Sequence, residues 1–590
     1  MVRGKNVGWV AIVTGIAVFI LALAAIIVRC PGSRIPRPNV VLVSLDTLRP
    51  DHLGCYGYPK PTSPNLDAFA KDAILFTNAH SQASWTLPSH MSLFTSMLPS
   101  HNGVEDLNER LPDGIPTLTE ILKQNGYTTV ALVNNGEMKA HWGFGRGFET
   151  WREFEVDTPE GSCENITGEA LEWLAGRAPT KAGETAAEKP FFLFLHYFDP
   201  HDPYNPPESY RARFGCTLAP DEIRQAVWDA RPPGRDIRDK KILEQVIAAY
   251  DGEIAWLDHE LGKLFAAIPP NTLTVIFSDH GEAFEEHGWT LHGASLYEEE
   301  TRVALVMKAP GRSGSLRPGV AVAEPAMLLD VAPTILSFCG VEVPPHWEGR
   351  DLFAVMSKGT GPRIVKSETK WVLEGQAIKS VTSYPWKLIA HVLEGRQELY
   401  KLPDEHANLI EKEPGAAEAL FARIREWMSP ESFWIVYAKG NGRFEATASL
   451  REGQFIEFIP LGFEEHRDYF EPKGKGREMH WECYPSERIK AFYLEPQPPD
   501  QSVSFDFRIE GEPTTQVFLG SKELTPPELP VETKLDGMCE SPVIEKAFVP
   551  SRDGFFVRRY RTEGATSRPT QPAKLDEETV NQLRSLGYIR

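Results

Sequence analysis

The sequence contains few cysteines, and none of them has the spacing of a metal-binding or redox motif. Its 590 residues include seven, and no CxxC pair occurs among them: Cys30, Cys55, Cys163, Cys216, Cys339, Cys483 and Cys539. This argues against a disulfide scaffold and against a zinc ribbon, although one or two disulfides remain open. Internal repeats and extended low-complexity runs are also absent. A hydrophobic content of 42% instead indicates a globular chain of roughly three to five domains.

The chain also lacks an excess of positive charge. It has 62 lysines and arginines against 82 aspartates and glutamates, which gives a formal net charge of −20 at pH 7. Such a surface repels phosphate backbones, so we expect no nucleic-acid partner. A small anionic substrate is still compatible with this balance, because a local positive site outweighs a distant, screened field.

Charged residues are missing from positions 7–28, a run of 22 residues near the N-terminus. At about 1.5 Å per residue in a helix, this run spans a hydrocarbon core of roughly 30 Å. A cleavable signal peptide is the alternative, but no small-x-small cleavage site follows the run. We therefore predict that residues 1–37 form a single-pass membrane anchor with a short linker, and that the catalytic part is exported to a periplasmic or extracellular compartment.

Apolar runs that alternate with helical patterns begin after position 38. Strands are predicted at 39–45, 128–133, 191–196, 273–277 and 303–307. Helical patterns lie between them, for example at 116–124 and 240–265. Continuous apolar strands separated by helices are typical of a largely parallel sheet that is covered on both faces. The sequence therefore predicts an α/β fold.

Changes in pattern divide the chain into further units. Residues 38–345 form the predicted catalytic α/β domain, and residues 346–430 a smaller α+β subdomain of the same unit, with hairpins and a helix at about 414–428. Short strands and turns predict a β-sandwich-like accessory domain over 431–561. Residues 562–590 are predicted to be a linker and a C-terminal helix.

Polar side chains follow three of the predicted strands. Asp46 ends the first strand, His201 lies in a DPHD segment after another, and Asp279 with His280 follows a third. Ligands of open α/β sheets bind beyond the carboxyl ends of strands, so we expect these side chains at one sheet edge. Carboxylate oxygens and imidazole nitrogens are suitable ligands for a divalent cation. The sequence therefore predicts a metal site there.

A hydroxyl group precedes a helical pattern in the segment SWTLPSHMSLFTSM. Pro88 suits the first turn of a helix, which places Thr86 near the helix N-terminus. Free N–H groups and the helix dipole favour anions at that position. Thr86 could therefore bind a metal ion and attack a sulfuryl or phosphoryl centre, or it could be only a helix cap.

Several motifs of the chain occur in the order seen in sulfatases of the alkaline phosphatase superfamily. They are NVVLVSLDTLRPDHLGCYGY, TSPNLDAFA, WTLPSHMSLFTSMLPSHNGV, FLHYFDPHDPY, YDGEIAWLD, FSDHGEAFEEHG, HGASLYEEETRVALV and ELYKLPDEHANL. Residues 39–430 thus resemble a sulfatase. The resemblance implies an alkaline-phosphatase-like core with a mixed, largely parallel sheet flanked by helices, and a small C-terminal α+β subdomain. It implies a divalent metal ion bound by Asp46 and by Asp279 with His280, and the hydroxyl of Thr86 is the further ligand predicted from its helix position.

The nucleophile motif departs from that of the family. The family pattern is C/S-x-P-S-R, in which Cys or Ser is oxidised to formylglycine, whereas this chain has T-L-P-S-H. Thr86 is a secondary alcohol and cannot give that aldehyde, so no formylglycine is expected. His90 replaces the arginine of this motif, and we count it with Thr86 among the candidate catalytic residues. A sulfate ester of plain threonine lacks the aldehyde exit, whereas water can hydrolyse a phosphoryl-threonine, so the chemistry favours phosphoesters.

The residues at the family's metal-binding and anion-binding positions also differ from the family pattern. Thr47 stands where a second Asp ligand is frequent, and His280 stands in place of Asn, which moves the preference from calcium towards manganese or zinc. Asn134 and Asn135 occupy the stretch of a missing Lys-Trp-His motif, so the anion pocket is poor in fixed positive charge.

Two further histidines match family positions near the substrate. His201 is the expected general acid or donor to the anion, and His292 is an expected donor to the anion or ligand of a second metal ion; His287 is nearby. The predicted protein is a membrane-anchored, metal-dependent hydrolase of a small sulfate or phosphate ester, carried on a glycan or a lipid. A non-catalytic binding protein and an envelope transferase of phosphoryl-linked headgroups remain the alternatives.

Overall fold

The computed structural model describes residues 37–134, 136–155, 162–177, 189–230, 237, 239–311, 318–358, 363–371, 376–391 and 396–427, together with the strands between 432 and 561 and Arg477. Within these residues, no helix has the length and hydrophobicity that a membrane span requires. The predicted span at 7–28 and the predicted segment at 562–590 lie outside the described residues.

One mixed sheet of eight strands forms the centre of the catalytic unit. Its strands, with the order β12-β2-β11-β7-β1-β6-β4-β5, are β1 (Asn39–Leu45), β2 (Ile74–Phe76), β4 (Thr128–Val133), β5 (Thr150–Glu153), β6 (Phe191–Tyr197), β7 (Thr272–Ser278), β11 (Leu305–Lys308) and β12 (Val320–Val322). All neighbouring pairs are parallel except the two that β11 makes, with β7 and with β2. The predicted mixed and largely parallel α/β sheet is therefore confirmed.

Both faces of this sheet are buried, as the continuous apolar runs predict. In β1, Val40 and Leu42 belong to one hydrophobic cluster, whereas Val41 and Val43 belong to the cluster on the other face. All four side chains are fully buried. Because side chains alternate between the faces of a strand, only an apolar residue at every position can fill both clusters.

Helices cover the two faces. They are α1 (Pro64–Ala70), α2 (Thr86–Thr95), α3 (Pro99–Asn102), α4 (Leu118–Gln124), α5 (Cys163–Ala175), α6 (Glu208–Arg213), α7 (Pro220–Asp229), α8 (Lys240–Ala267), α9 (Glu298–Thr301), α10 (Val331–Phe338) and α11 (Leu352–Lys358). Short 3-10 turns lie at Pro50–His52, Gly54–Tyr56, Ala140–Trp142 and Leu328–Asp330. Leu87 and Met91 of α2 pack in the first cluster, and Ile254 and Leu257 of α8 pack in the second.

The run at 303–307 is not one strand. Two short sheets flank the main one, and their strands are β3 (Ala79–His80), β8 (Ala283–Phe284), β9 (Thr290–Leu291), β10 (Arg302–Val303) and β13 (Ala326–Met327). The chain leaves β10 and enters β11 at Ala304, whose N–H donates to Ser278 Oγ and whose carbonyl accepts from the Ser278 N–H. Residues 303–307 are all apolar, so the pattern could not show the change of sheet.

A four-stranded antiparallel sheet follows the catalytic core. It consists of β14 (Val365–Trp371), β15 (Gln376–Ser383), β16 (Trp386–His391) and β17 (Arg396–Lys401), and α12 (Pro414–Trp427) packs on it. Leu420 and Ile424 of the helix share a buried cluster with Val381, Leu388 and Leu399 of the sheet. The hairpins and the helix predicted for this region are present.

Eleven strands are described between residues 432 and 561. They are β18 (Ser432–Lys439), β19 (Gly442–Leu450), β20 (Gln454–Leu461), β21 (Tyr469–Lys473), β22 (Glu478–Cys483), β23 (Lys490–Gln497), β24 (Val503–Gly511), β25 (Gln516–Leu519), β26 (Lys522–Leu524), β27 (Thr533–Lys534) and β28 (Gly554–Arg561). Six of them form one sheet and five form another. The stacking of the two sheets as a sandwich, and the exact limits of the domains, stay predictions.

Candidate active site

Asp46 and Asp279, the metal-ligand candidates that follow β1 and β7, lie side by side at the carboxyl edge of the sheet. Strand β1 is parallel to β7, and Leu45 is paired with Ser278, so Asp46 and Asp279 each follow the end of their strand by one residue. Both carboxyl groups are fully buried. Their proximity follows directly from parallel pairing in this register.

His280 completes a group that is suited to a metal ion. Its Nε2 lies 3.5 Å from Asp46 Oδ1 and 3.4 Å from Asp279 Oδ2, and the three ligand atoms lie within 4.8 Å of one another. His280 Nδ1 donates to the Gly281 carbonyl over 2.9 Å, which leaves a lone pair on Nε2. Burial lowers the pKa of His280 to about 4, so the ring is neutral at neutral pH. Three electron-pair donors thus converge, and a divalent cation fits between them.

Thr86 faces this group from the N-terminus of α2. Its Oγ1 donates to His280 Nε2 over 3.3 Å, and its side chain is fully buried. Ser89, one turn later, donates to the Asp279 carbonyl over 2.7 Å and ties the helix to the strand end. The N-cap residue of α2 is Trp85, and Thr86 is the first helical residue. The structure therefore places the hydroxyl at the metal-ligand group and not in the N-cap position.

His90 is next to the site, but it lacks the free lone pair of a ligand. Its Nδ1 donates to the Thr86 carbonyl over 2.9 Å, and its Nε2 accepts from Ser44 Oγ over 2.8 Å. Nδ1 also lies 3.4 Å from Asp279 Oδ2, and burial lowers the pKa of the ring. Both nitrogens are thus engaged, and the group formed by His90, His196 and Asp279 is the weaker of the two candidate metal groups. The contacts of His90 suit a residue that positions Thr86.

Thr47 contributes its backbone where the family resemblance led us to expect a second carboxylate. Its φ angle is 52°, a left-handed conformation that is rare for a β-branched residue. In this conformation its N–H donates to Asp279 Oδ1 over 3.2 Å, and its carbonyl accepts from Tyr250 Oη over 2.8 Å. Both backbone polar groups of Thr47 are thus hydrogen-bonded, and these bonds hold the turn after Asp46 in place.

Three imidazole rings form a row that begins at the metal-ligand group. The ring centroids of His280 and His292 are 4.5 Å apart, and those of His292 and His201 are 4.9 Å apart. Glu282 lies behind the row, with Oε1 2.9 Å from His292 Nδ1 and Oε2 accepting from Tyr204 Oη over 2.9 Å. Burial raises the pKa of Glu282 well above its usual range. The row offers donors for a leaving oxygen or for an anion.

His287 does not belong to this row. Its Nδ1 lies 2.6 Å from Glu299 Oε1, and its Nε2 donates to the Glu405 carbonyl over 3.1 Å. Tyr297 stacks on the ring at a centroid distance of 3.7 Å. This histidine joins the core to the segment that follows the four-stranded sheet. Of the two asparagines singled out in the sequence, Asn134 is buried and Asn135 lies outside the described residues.

Sequence reasoning missed two buried residues at the site. His196, the sixth residue of β6, has its Nε2 3.6 Å from Asp46 Oδ2, and burial lowers the pKa of the ring well below its usual range. Glu137 follows β4, and its Oε2 accepts from the Leu87 N–H in the first turn of α2 over 3.2 Å. A histidine at the carboxyl end of an otherwise apolar strand was the available signal for His196. Glu137 carried no signal, because it lies in an irregular loop.

This mixed α/β sheet, with acidic and imidazole side chains at its carboxyl edge, has the architecture expected of the alkaline phosphatase superfamily. The family model described as "Sulfatase" matches residues 38–341, and the chain belongs to this family as a sulfatase-family ester hydrolase. Human iduronate 2-sulfatase is 27% identical over 397 residues, which cover 52% of this chain and 70% of the relative. An arylsulfatase of Clostridium perfringens is 27% identical over 387 residues, covering 54% of this chain and 78% of the relative.

Two solved structures confirm the fold. One is a protein in complex with its substrate D-glucosamine-2-N,6-O-disulfate, with a TM-score of 0.56, 19% identity, and coverage of 66% of this chain and 97% of the other. The other is the phosphonate monoester hydrolase of Agrobacterium radiobacter, with a TM-score of 0.54, 18% identity, and coverage of 66% and 95%. At these identities the likeness concerns the fold alone.

Proposed function

We propose that the protein is a metal-dependent hydrolase that uses Thr86 as an unmodified nucleophile, with a preference for phosphoesters. The observation that carries this proposal is the position of Thr86 Oγ1, 3.3 Å from His280 Nε2 at the point where Asp46 and Asp279 converge. A metal ion held there by Asp46, Asp279, His280 and Thr86 would polarise the ester and lower the pKa of the hydroxyl. The identity of the metal among calcium, manganese and zinc is an outcome of the test, as is a second ion near His292.

The residues of the chain supply the remaining steps. Thr86 loses its hydroxyl proton to solvent, and its Oγ attacks the phosphorus in line; the bond between Oγ and phosphorus forms as the bond from phosphorus to the leaving oxygen breaks. His201 gives a proton to that oxygen, while His292, oriented by Glu282, donates to the transferred group. Water gives a proton to His201 and attacks the phosphorus of the phosphoryl-threonine, and the bond between phosphorus and Thr86 Oγ breaks. Phosphate or its monoester leaves, and Thr86 takes up a proton from solvent to regenerate its hydroxyl.

Hydrolysis of sulfate esters is the second candidate, and family membership favours it. The two relatives described above are named as sulfatases. A threonine, however, cannot form the aldehyde that would expel sulfate, so a sulfated Thr86 would have to be hydrolysed by water. The chemistry at this one residue is our reason for preferring phosphoesters.

The relatives also suggest how the ester is presented. One solved structure holds a sulfated amino sugar, and a relative of Bacteroides thetaiotaomicron is named as a delta 4,5-hexuronate-2-O-sulfatase. We therefore propose an anionic ester on a glycan, with a lipid as the alternative carrier. The uncharged run at 7–28 supports a membrane anchor with an exported catalytic part. Protease accessibility of the full chain in intact cells tests this orientation.

The test uses the full chain with aryl phosphate, aryl phosphodiester and aryl sulfate, each with calcium, manganese or zinc added. Thr86→Ala is compared with Thr95→Ala, which removes a buried hydroxyl from the other end of the same helix. We expect phosphoester turnover that is lost in Thr86→Ala and kept in Thr95→Ala. Mass spectrometry of the acid-quenched enzyme should find a phosphoryl group on the peptide that contains Thr86.

Other outcomes separate the alternatives. Turnover of aryl sulfate alone, lost in Thr86→Ala, would favour a sulfatase without an aldehyde. Transfer of the phosphoryl-linked group to an added alcohol in preference to water would favour a transferase. Metal binding without turnover of any ester would favour a non-catalytic binding protein.

A further inference from the structure

The residue that follows His292 is hydrogen-bonded from two sides. Gly293 has a φ angle of 91°, in the left-handed region that glycine tolerates best. Its N–H donates to Glu300 Oε2 over 2.8 Å, and its carbonyl accepts from Thr369 Oγ1 over 3.0 Å. This N–H belongs to the planar peptide unit that begins at the His292 carbonyl, so the contact with Glu300 holds the backbone of His292 itself.

Glu300 belongs to a helix that also holds the metal-ligand segment. It is the third residue of α9, it is buried, and its carboxyl group accepts from both the N–H and the hydroxyl of Ser295. Its backbone carbonyl accepts from the N–H of Gly281, the residue after His280, over 2.8 Å. One short helix thus fixes the loop of His292 relative to His280.

Thr369 comes from a different part of the fold. It lies in β14, the edge strand of the four-stranded sheet, 76 residues from Gly293 in the sequence. Its side chain is buried, so little water competes for the hydrogen bond between its hydroxyl and the Gly293 carbonyl. The four-stranded sheet therefore contacts the loop of His292 directly.

Glu282 and the contacts at Gly293 hold different parts of His292. Glu282 Oε1, which is 2.9 Å from His292 Nδ1, orients the ring, whereas the contacts at Gly293 set the backbone from which the ring projects. We propose that Glu300 and Thr369 are positioning residues, which together hold His292 where it donates to the transferred group. This inference rests on the proposed function and deepens it, because it gives the four-stranded sheet a part in the reaction.

The experiment is a double-mutant cycle on the full chain, with the ester that the wild type hydrolyses. It compares the wild type with Thr369→Val, His292→Ala and the double variant, and with Thr369→Ser, which keeps the hydroxyl group. The matched control is Thr382→Val, which makes the same change at a buried threonine of β15, opposite Val365 at the other end of β14. The readouts are kcat, KM and the equilibrium binding of orthovanadate, measured by calorimetry with the metal ion added.

We expect Thr369→Val to lower kcat about tenfold and to change KM less, because a displaced donor is lost mainly from the transition state. Thr369→Ser and Thr382→Val should keep the wild-type kcat. His292→Ala should lower kcat about a hundredfold, as the loss of a donor to the reacting group does. Adding Thr369→Val to His292→Ala should have no further effect, since a residue that acts through His292 is silent without it. The affinity for orthovanadate should follow the same pattern.

Glu300 allows a second cycle of the same design. Glu300→Gln keeps an oxygen that accepts from the Gly293 N–H, so it should keep most of the activity. Glu300→Ala removes this acceptor and should lower kcat, again only while His292 is present. If Glu300→Ala does not fold, the cycle of Thr369 with His292 decides the inference.

The inference is overturned if Thr369→Val keeps the wild-type kcat, or if its effect has the same size with and without His292. It is equally overturned if Thr369→Ser or Thr382→Val loses as much activity as Thr369→Val. The proposed function fails separately if no ester is hydrolysed by the wild type, and the orthovanadate cycle then decides the roles of Glu300 and Thr369. A wild type that also does not bind orthovanadate would refute both.

Discussion

Replacement of His90 by alanine tests the internal support of the nucleophile helix. The ring is fully buried, and Ser44 Oγ donates to its Nε2 over 2.8 Å. The substitution leaves the buried Ser44 hydroxyl without this acceptor, which costs about 1–3 kcal/mol, and it opens a cavity that costs about 1–2 kcal/mol more. The Thr86 carbonyl also loses a donor at 2.9 Å. We expect His90→Ala to lower the free energy of unfolding by about 2–5 kcal/mol.

The assay is urea denaturation followed by tryptophan fluorescence, with a chelator present so that metal binding does not contribute. Ser44→Ala and the double variant complete a mutant cycle. Because the double variant has no Ser44 hydroxyl left without an acceptor, it should be more stable than the sum of the singles predicts, by about 1 kcal/mol. His101→Ala is the control. His101 pairs with Glu348 at a partly exposed site, and such an ion pair contributes about 0–1 kcal/mol to the free energy of unfolding.

A loss below about 1 kcal/mol for His90→Ala would refute the reasoning, because a buried group with these contacts should cost more. Strict additivity in the cycle would refute the assigned pairing of His90 with Ser44. Activity gives a separate check. Since His90 contacts the Thr86 carbonyl and Asp279 Oδ2, kcat should fall at least about tenfold in His90→Ala, whereas KM should change less.

Three further predictions concern the metal group and the histidine outside it. Removal of metal by a chelator should lower the Tm, re-addition should restore it, and Asp279→Asn should abolish the difference, as measured by thermal unfolding with and without metal. Thr47→Asp should raise the affinity for calcium relative to manganese by about tenfold, measured by calorimetry, because it adds a carboxylate at a left-handed position that aspartate tolerates. Burial opposes the protonation of His287, but its hydrogen bond to Glu299 and the nearby charges raise its pKa above 6.5. A raised folded-state pKa gives stability that is complete below the unfolded-state pKa and is lost as the pH rises through the folded-state value. The Tm should therefore fall as the pH rises above about 6.5 in the wild type and not in His287→Gln.

The α/β sheet could be predicted because its strands are buried on both faces. A strand such as β1, with the pattern NVVLVSL, has no polar face, and that pattern is distinct from a half-exposed strand. The split of the run at 303–307 could not be predicted for the same reason. Ala304 is as apolar as its neighbours, and only the pairing with Ser278 shows where the chain changes sheets.

The core of the candidate site could be predicted from strand ends. Asp46 and Asp279 each follow a buried strand by one residue, and parallel pairing alone brings such positions together. Thr86 needed the helix signal at Pro88 as well as the family motif. His196 could have been found by the same reasoning as Asp46, because it lies near the end of β6, the other parallel neighbour of β1.

Sequence reasoning could not predict which side chains lie at the first turn of α2. The missing Lys-Trp-His stretch predicted a pocket poor in positive charge, and the sequence drew attention to Asn134 and Asn135. The side chain at the first turn of α2 is instead Glu137, because the path of the loop after β4 decides which residue turns inward, and no periodicity describes a loop. The family motif at Thr86 carries more weight in our proposal, because a threonine that cannot become an aldehyde is the reason for which we propose phosphoesters over sulfate esters.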